Sequence, residues 1–160
     1  MHNLSQLKLC FLAGTLEHGG AERQLFYILQ ALCQAGATPR LLSLDRGEFW
    51  QEAIERLGVS VTWVGDQPSR LQRLFRILKE VRKDAPDVLQ SQHFFANAYA
   101  GLAGRLCGAI GIGAMRNNGR IEVSECGILG GWLNLHCPGT LAANSKIAMQ
   151  YAITQGIPGS

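Results

Sequence analysis

Short runs of consecutive apolar residues alternate along this chain with longer stretches in which apolar residues recur every three or four positions. The runs predict strands over 8–13, 39–44, 59–64, 87–90, 110–115 and 140–143, each short and mostly apolar, as strands buried on both faces are. Between the first two, Ala21, Leu25, Ile28, Leu29 and Leu32 form one stripe, predicting a helix over 21–35 that Gly36 stops. Further helices are predicted over 48–57, ended by Gly58, over 69–83, over 94–106 and over 145–155. In the 69–83 helix the inward stripe reads Leu71, Leu74, Phe75, Leu78 and Val81. Residues 117–138 mix glycines with apolar residues without a clean period, and are expected to form a helix with loose ends. Gly156-Ile157-Pro158-Gly159-Ser160 reads as a turn at a domain boundary.

Regular alternation of strand and helix predicts an α/β fold: a Rossmann-like, doubly wound parallel sheet with helices on both faces. At 160 residues, 47% hydrophobic and 17% charged, the chain is expected to be one packed domain and not a disordered segment. No internal repeat or low-complexity tract interrupts it.

A net charge of +3 is too mild for wholesale nucleic-acid binding, so any basic function is local. No apolar run approaches the roughly 18 residues that span a bilayer, and no leader pattern opens the chain. The expectation is a cytoplasmic protein. Cys10, Cys33, Cys107, Cys126 and Cys137 lack a C-x-x-C pair and mostly fall in apolar stretches, so they are expected to be reduced and mostly buried. His136, Cys137 and Cys126 fall short of structural zinc spacing.

The sharpest local signal is Gly19-Gly20-Ala21-Glu22, where loop becomes helix after the first strand. Two glycines there let the backbone approach a ligand, and a helix N-terminus favours an anion, which predicts a phosphate site. The competing reading is a tight turn with Glu22 complementing the positive helix end. Neither a G-x-G-x-x-G fingerprint nor a G-K-[ST] is present, which counts against dinucleotide dehydrogenases and P-loop proteins.

Gly19-Gly20-Ala21-Glu22-Arg23-Gln24-Leu25 resembles the G-G-A-E-x-x-L opening of the family 4 glycosyltransferases. Pro86-Asp87-Val88-Leu89, Asn97, Ala100-Gly101-Leu102-Ala103 and Ala143-Asn144-Ser145-Lys146 are similar, in order, to later segments of that family's N-terminal domain. The resemblance implies the acceptor-side half of a retaining GT-B enzyme that moves a sugar from a nucleotide-sugar donor to a saccharide or lipid-linked acceptor, in cell-envelope polysaccharide synthesis. It implies that residues 1–160 are one domain, that a C-terminal donor-binding domain with an E-x7-E motif is the missing partner, and that the half alone is inactive. No cofactor or metal is implied, and no D-x-D pair is present to hold one. A stand-alone, non-catalytic α/β binding or interaction module is the alternative.

Candidate residues follow. Gly19, Gly20 and Ala21 are expected at the donor phosphates. His93, just past the fourth strand, is expected to be catalytic, since a histidine there can polarise an acceptor hydroxyl. A structural loop histidine is the plain alternative, and the family's D-V-V-H-x-H pattern would put Gln90 and Gln92, not His93, on its two histidines. His18 beside the glycines, with Arg116 and Asn117 in the loop after the fifth strand, is expected to meet the acceptor, although Asn118-Gly119 also favours an ordinary turn. Asn144, Ser145 and Lys146 are further candidates, with Asn144 or Ser145 able to cap the last helix. Arg70, Arg73, Arg76, Lys79, Arg82 and Lys83 line one face of the third helix. That face reads first as solvated, and second as a peripheral contact with the inner face of a membrane.

Overall fold

The computed structural model describes residues 4–159. Six strands form one parallel sheet: β1 (Leu9–Ala13), β2 (Arg40–Ser43), β3 (Ser60–Trp63), β4 (Val88–Ser91), β5 (Ile110–Met115) and β6 (Thr140–Ala143). Their order is β3-β2-β1-β4-β5-β6. All six predicted strands are present, and the doubly wound expectation holds.

Helices α1 (Gly20–Gln34) and α2 (Gln51–Arg56) cover one face. Helices α3 (Arg70–Asp84) and α4 (Asn97–Cys107) cover the other. Because strand side chains alternate, β1 divides its residues between the two cores. Cys10 and Leu12 pack with Ile77, Leu78 and Ala100, whereas Phe11 and Ala13 pack with Leu25, Leu29 and Ile54. Burial pushes the Cys10 thiol up to about 11, so it serves as a core side chain. All five cysteines are free thiols, with Cys10 and Cys137 buried.

The stripe expected on the third helix is corrected. Ile77, Leu78 and Val81 are its buried apolar residues, while Leu71 and Phe75 stand 62% and 61% exposed. Leu71 and Phe75 lie four apart on the flank of the stripe, and nothing beside α3 covers that flank. Ser69 caps this helix by accepting from the Gln72 N–H.

The aperiodic 117–138 stretch folds as two helices, α5 (Gly119–Glu125) and α6 (Gly127–His136), instead of one. Gly127, at φ +70°, breaks them apart in a conformation that glycine adopts without penalty. Asn118-Gly119 is accordingly a helix start: the Asn118 side chain accepts from the Arg120 N–H. The second helix is also shorter than expected, since Glu48 leaves it to accept from the Leu16 N–H. The last helix, α7 (Lys146–Thr154), begins behind Ser145, which accepts from the Ala148 N–H at 3.1 Å.

Asn97 fixes α4 against the sheet. β4 pairs with β5 only as far as Gln90 and Ile112. Beyond that point the fully buried Asn97 amide takes the place of a strand, donating to the Ala114 carbonyl at 3.0 Å and accepting from the Ala114 N–H at 2.8 Å. Among the described residues no helix is long and apolar enough to cross a membrane.

Candidate functional site

Parallel strands deliver their C-terminal loops to one edge of a sheet, which is where open α/β folds bind ligands. Here the loops after β1, β4 and β5 meet at that edge. His93, just beyond β4, holds both loops it faces. Its Nδ1 accepts from the Gly14 N–H at 3.0 Å. Its Nε2 lies 2.9 Å from Glu22 Oε1. An Nδ1 that accepts leaves the proton on Nε2, so the ring is neutral and donates to Glu22. Burial lowers the His93 pKa, and the Glu22 hydrogen bond and charge do not fully offset that. The contact is therefore a charge-assisted hydrogen bond, not an ion pair.

Glu22 also accepts from the Thr15 hydroxyl at 2.8 Å. Burial pushes its carboxyl up, but hydrogen bonds from Thr15, its own backbone N–H and His93 outweigh this and hold it below the ordinary value. The carboxylate folds back so closely that a Cβ at Gly19 would stand 2.1 Å from Glu22 Oε2. Gly19 is extended, at φ −124°, so glycine is needed there for the close approach and not for the backbone angle. Gly20 has nothing within 4 Å of where its Cβ would be, so the opening turn of α1 is accessible at that point.

Arg116, at the end of β5, reaches across to α1. Its Nη2 donates to Gln92 Oε1 at 3.0 Å, its Nη1 to Gln24 Oε1 at 3.1 Å, and its Nε to the Gln92 carbonyl at 3.4 Å. Gln92 is fully buried, and its Nε2 donates to the Ala21 carbonyl at 2.6 Å. Gln92 thus bolts the first turn of α1 to the guanidinium. All three acceptors are neutral, and no carboxylate among the described residues lies within ion-pair distance of Arg116. Burial lowers the Arg116 pKa, opposed by the Glu122 charge. Two of its five N–H groups keep no partner here, and the guanidinium makes its hydrogen bonds only to neutral oxygens.

Asn144 closes the group by donating to the Arg116 carbonyl at 2.6 Å. An open depression of about 650 Å³ lies beside the set along α1, lined by Gly20, Arg23, Gln24, Tyr27 and Asn144 among others. The fold therefore gathers Gly19, Gly20, Ala21, His93, Arg116 and Asn144 into one connected edge. The other candidates lie apart from that network. His18 packs edge-on against Phe49, ring centroids 4.6 Å apart. Asn117 is exposed. Ser145 is spent on its cap, and Lys146 is exposed on the first turn of α7. No group of three or more His, Cys, Asp or Glu among the described residues is placed to hold a metal ion.

Sequence reasoning does not assign roles to Thr15, Gln24 and Gln92 at this edge, and it gives Glu22 only the part of complementing the positive helix end. A signal for Gln92 existed: Gln90-Ser91-Gln92 puts polar side chains at the end of a buried strand, where each needs a partner.

A parallel 3-2-1-4-5-6 sheet with a glycine turn, a hydrogen-bonded imidazole and a guanidinium on neutral partners at its carboxyl edge defines a Rossmann-like domain. The chain belongs to Glycosyltransferase Family 4, whose sequence model matches residues 18–114. Solved structures agree on the fold. HepE of Anabaena in complex with UDP-glucose superposes with a TM-score of 0.75 at 15% identity, over 96% of this chain and 42% of that one. The lipopolysaccharide outer core galactosyltransferase WaaB gives 0.68 at 10% identity, over 95% and 43%. The UDP-GlcNAc 2-epimerase of Methanocaldococcus jannaschii gives 0.59 at 16% identity, over 95% and 43%. The chain thus spans well under half of each of these proteins. No curated protein matches its sequence at a significant level.

Proposed function

We propose that residues 1–160 form the acceptor-side half of a retaining GT-B glycosyltransferase, completed by a C-terminal domain that binds most of a nucleotide-sugar donor. The convergence of the α1 N-terminus, His93 and Arg116 on one sheet edge carries this reading, because that edge would face the second domain. HepE is a structure with bound UDP-glucose, and this supports a uridine nucleotide sugar as the first donor to try.

In this proposal Gly19, Gly20 and Ala21 present backbone N–H groups to the donor phosphates, and Arg116 adds the positive charge that its neutral partners leave unspent. These are positioning and electrostatic contributions, the usual protein share of such transfers. His93 acts as a positioning residue while Gly14 and Glu22 hold both of its nitrogens. It reaches an acceptor hydroxyl only by releasing one of them. Asn117 and His18 flank the edge as acceptor contacts, and Asn144 keeps the Arg116 loop in place. Work on the inner face of a membrane, with no metal or cofactor, completes the proposal.

The test is transfer by the full-length protein from a panel of nucleotide sugars, with the anomeric configuration of the product read by NMR. Retained configuration is expected, and inversion would remove the retaining assignment. Absence of transfer from every donor would favour a non-catalytic binding module. The isolated residues 1–160 should transfer no sugar, and measurable turnover by them would overturn the half-enzyme reading.

A further inference from the structure

A second cavity opens beside Phe95, the residue that stacks on His93. It measures about 480 Å³ and lies among α3, α4 and α6, within the usual size of small-ligand sites. Leu71, Leu74, Leu102, Leu133, Phe95 and Tyr99 form its walls. Phe95 is shared with the candidate site, since its ring stacks on His93 at 5.5 Å between centroids. The one amide inside is already satisfied: Asn134 Oδ1 accepts from the Ala98 N–H at 2.8 Å. A sugar placed there would give up its water with little to replace it, whereas an apolar chain would gain by leaving water.

The charged residues lining it are Arg70 and Arg73, with one carboxylate, Glu125. Neither arginine has an ion-pair partner among the described residues, and the buried Arg73 Nε has no hydrogen-bond partner. The exposed Phe75 of α3 and the exposed Leu129 and Trp132 of α6 extend the apolar surface on those two helices. We infer that this cavity takes the apolar chain of a lipid phosphate, with its phosphate on Arg70 and Arg73. Resting on the glycosyltransferase reading, this makes the acceptor a lipid phosphate or a saccharide carried on one, held with its reacting end past Phe95 at His93.

Calorimetry on the full-length protein tests this, with decyl phosphate below its micellar concentration, decyl maltoside and inorganic phosphate as probes. Decyl phosphate is expected to bind at least about tenfold more tightly than decyl maltoside, a difference of one charged contact pair, with inorganic phosphate alone not detected. Arg73→Gln should remove that advantage and leave decyl maltoside unchanged. Leu102→Trp, which fills the cavity, should weaken both alkyl probes. Leu71→Glu, at an exposed position that folding does not require, should do the same if the tryptophan variant fails to fold. Lys79→Gln, on the solvated face of α3, should change nothing. Equal binding of the two alkyl probes, or unchanged binding by Leu71→Glu, would overturn the inference. Sugar transfer that survives such a result would leave the enzyme reading standing. Decyl phosphate binding with no transfer from any donor would do the reverse.

Discussion

His93 Nε2 and Glu22 Oε1 sit 2.9 Å apart although 71 residues separate them in the chain. That contact joins the loop after β4 to the first turn of α1, and Thr15 and Gly14 are drawn into the same group. The glycine-glycine-alanine-glutamate turn is therefore more than a permissive helix start. Its glutamate orients an imidazole.

Replacing Glu22 with glutamine removes the charge that raises the His93 pKa. The imidazole of Glu22→Gln should titrate at lower pH than in the parent, as followed by NMR of the ring protons. If His93 positions the acceptor, kcat/KM should fall by about tenfold or more in the same variant. An unchanged titration would show that the pair does not form.

Acid should weaken the fold through this pair. His93 and Glu22 both have folded pKa values below their ordinary ones, so each binds protons less readily folded than unfolded. Their stabilisation is present above the unfolded values and is lost as pH falls, first below about 6.5 for the histidine and then below about 4.5 for the glutamate. Urea midpoints measured downward from neutral pH should decline, and His93→Gln should flatten the upper part of that decline.

Gly19→Ala should disturb the site without straining the backbone. The added methyl would meet the Glu22 carboxylate at 2.1 Å, so the side chain must swing away from Thr15 and His93. A stability loss of about 1–2 kcal/mol is expected from the displaced hydrogen bonds, together with the same His93 titration shift as in Glu22→Gln. A normal titration in Gly19→Ala would contradict the close approach.

Asn97→Ala should be the costliest of these changes to stability. It leaves the buried N–H and carbonyl of Ala114 without partners, at about 2–5 kcal/mol for the two groups together. Chemical denaturation reads this directly. A loss below about 1 kcal/mol would mean that water or the strand itself replaces the amide.

Gln92→Leu keeps the side-chain volume near that of the parent while removing the link between Ala21 and Arg116. Stability should fall by about 1–3 kcal/mol, because the hydrogen bonds that Gln92 makes to the Ala21 carbonyl and accepts from the Arg116 guanidinium are lost. The affinity for donor should fall with it, since the guanidinium loses its anchor. Unaltered donor binding, measured by titration with the nucleotide sugar, would separate Arg116 from the donor.

Apolar runs and stripes placed six strands within a residue or so of their observed ends, along with most of the helices, because burial on a sheet or against a helix leaves a period in the sequence. Where burial is partial the period fails. Helix α6 buries Gly131, Asn134 and Leu135 while leaving Ile128 nearly fully exposed, so its sequence carries no readable stripe. Leu71 and Phe75 show the opposite failure, since both have the hydrophobicity of core residues but no neighbour to cover them.

The sequence by itself determined the alternation, the parallel α/β class, the helix start at Gly20 and the family. All of these rest on local propensity, on periodicity, or on an order of short motifs. It could not decide that His93 would spend both nitrogens, that Gln92 would anchor Arg116, or that the Arg116 guanidinium would meet only neutral acceptors. Those outcomes depend on contacts between loops that follow β1, β4 and β5, brought together only when the strands pair in the order β3-β2-β1-β4-β5-β6. Hydrogen bonds of that kind are set by distance in space, and no pattern of neighbours along a chain encodes them.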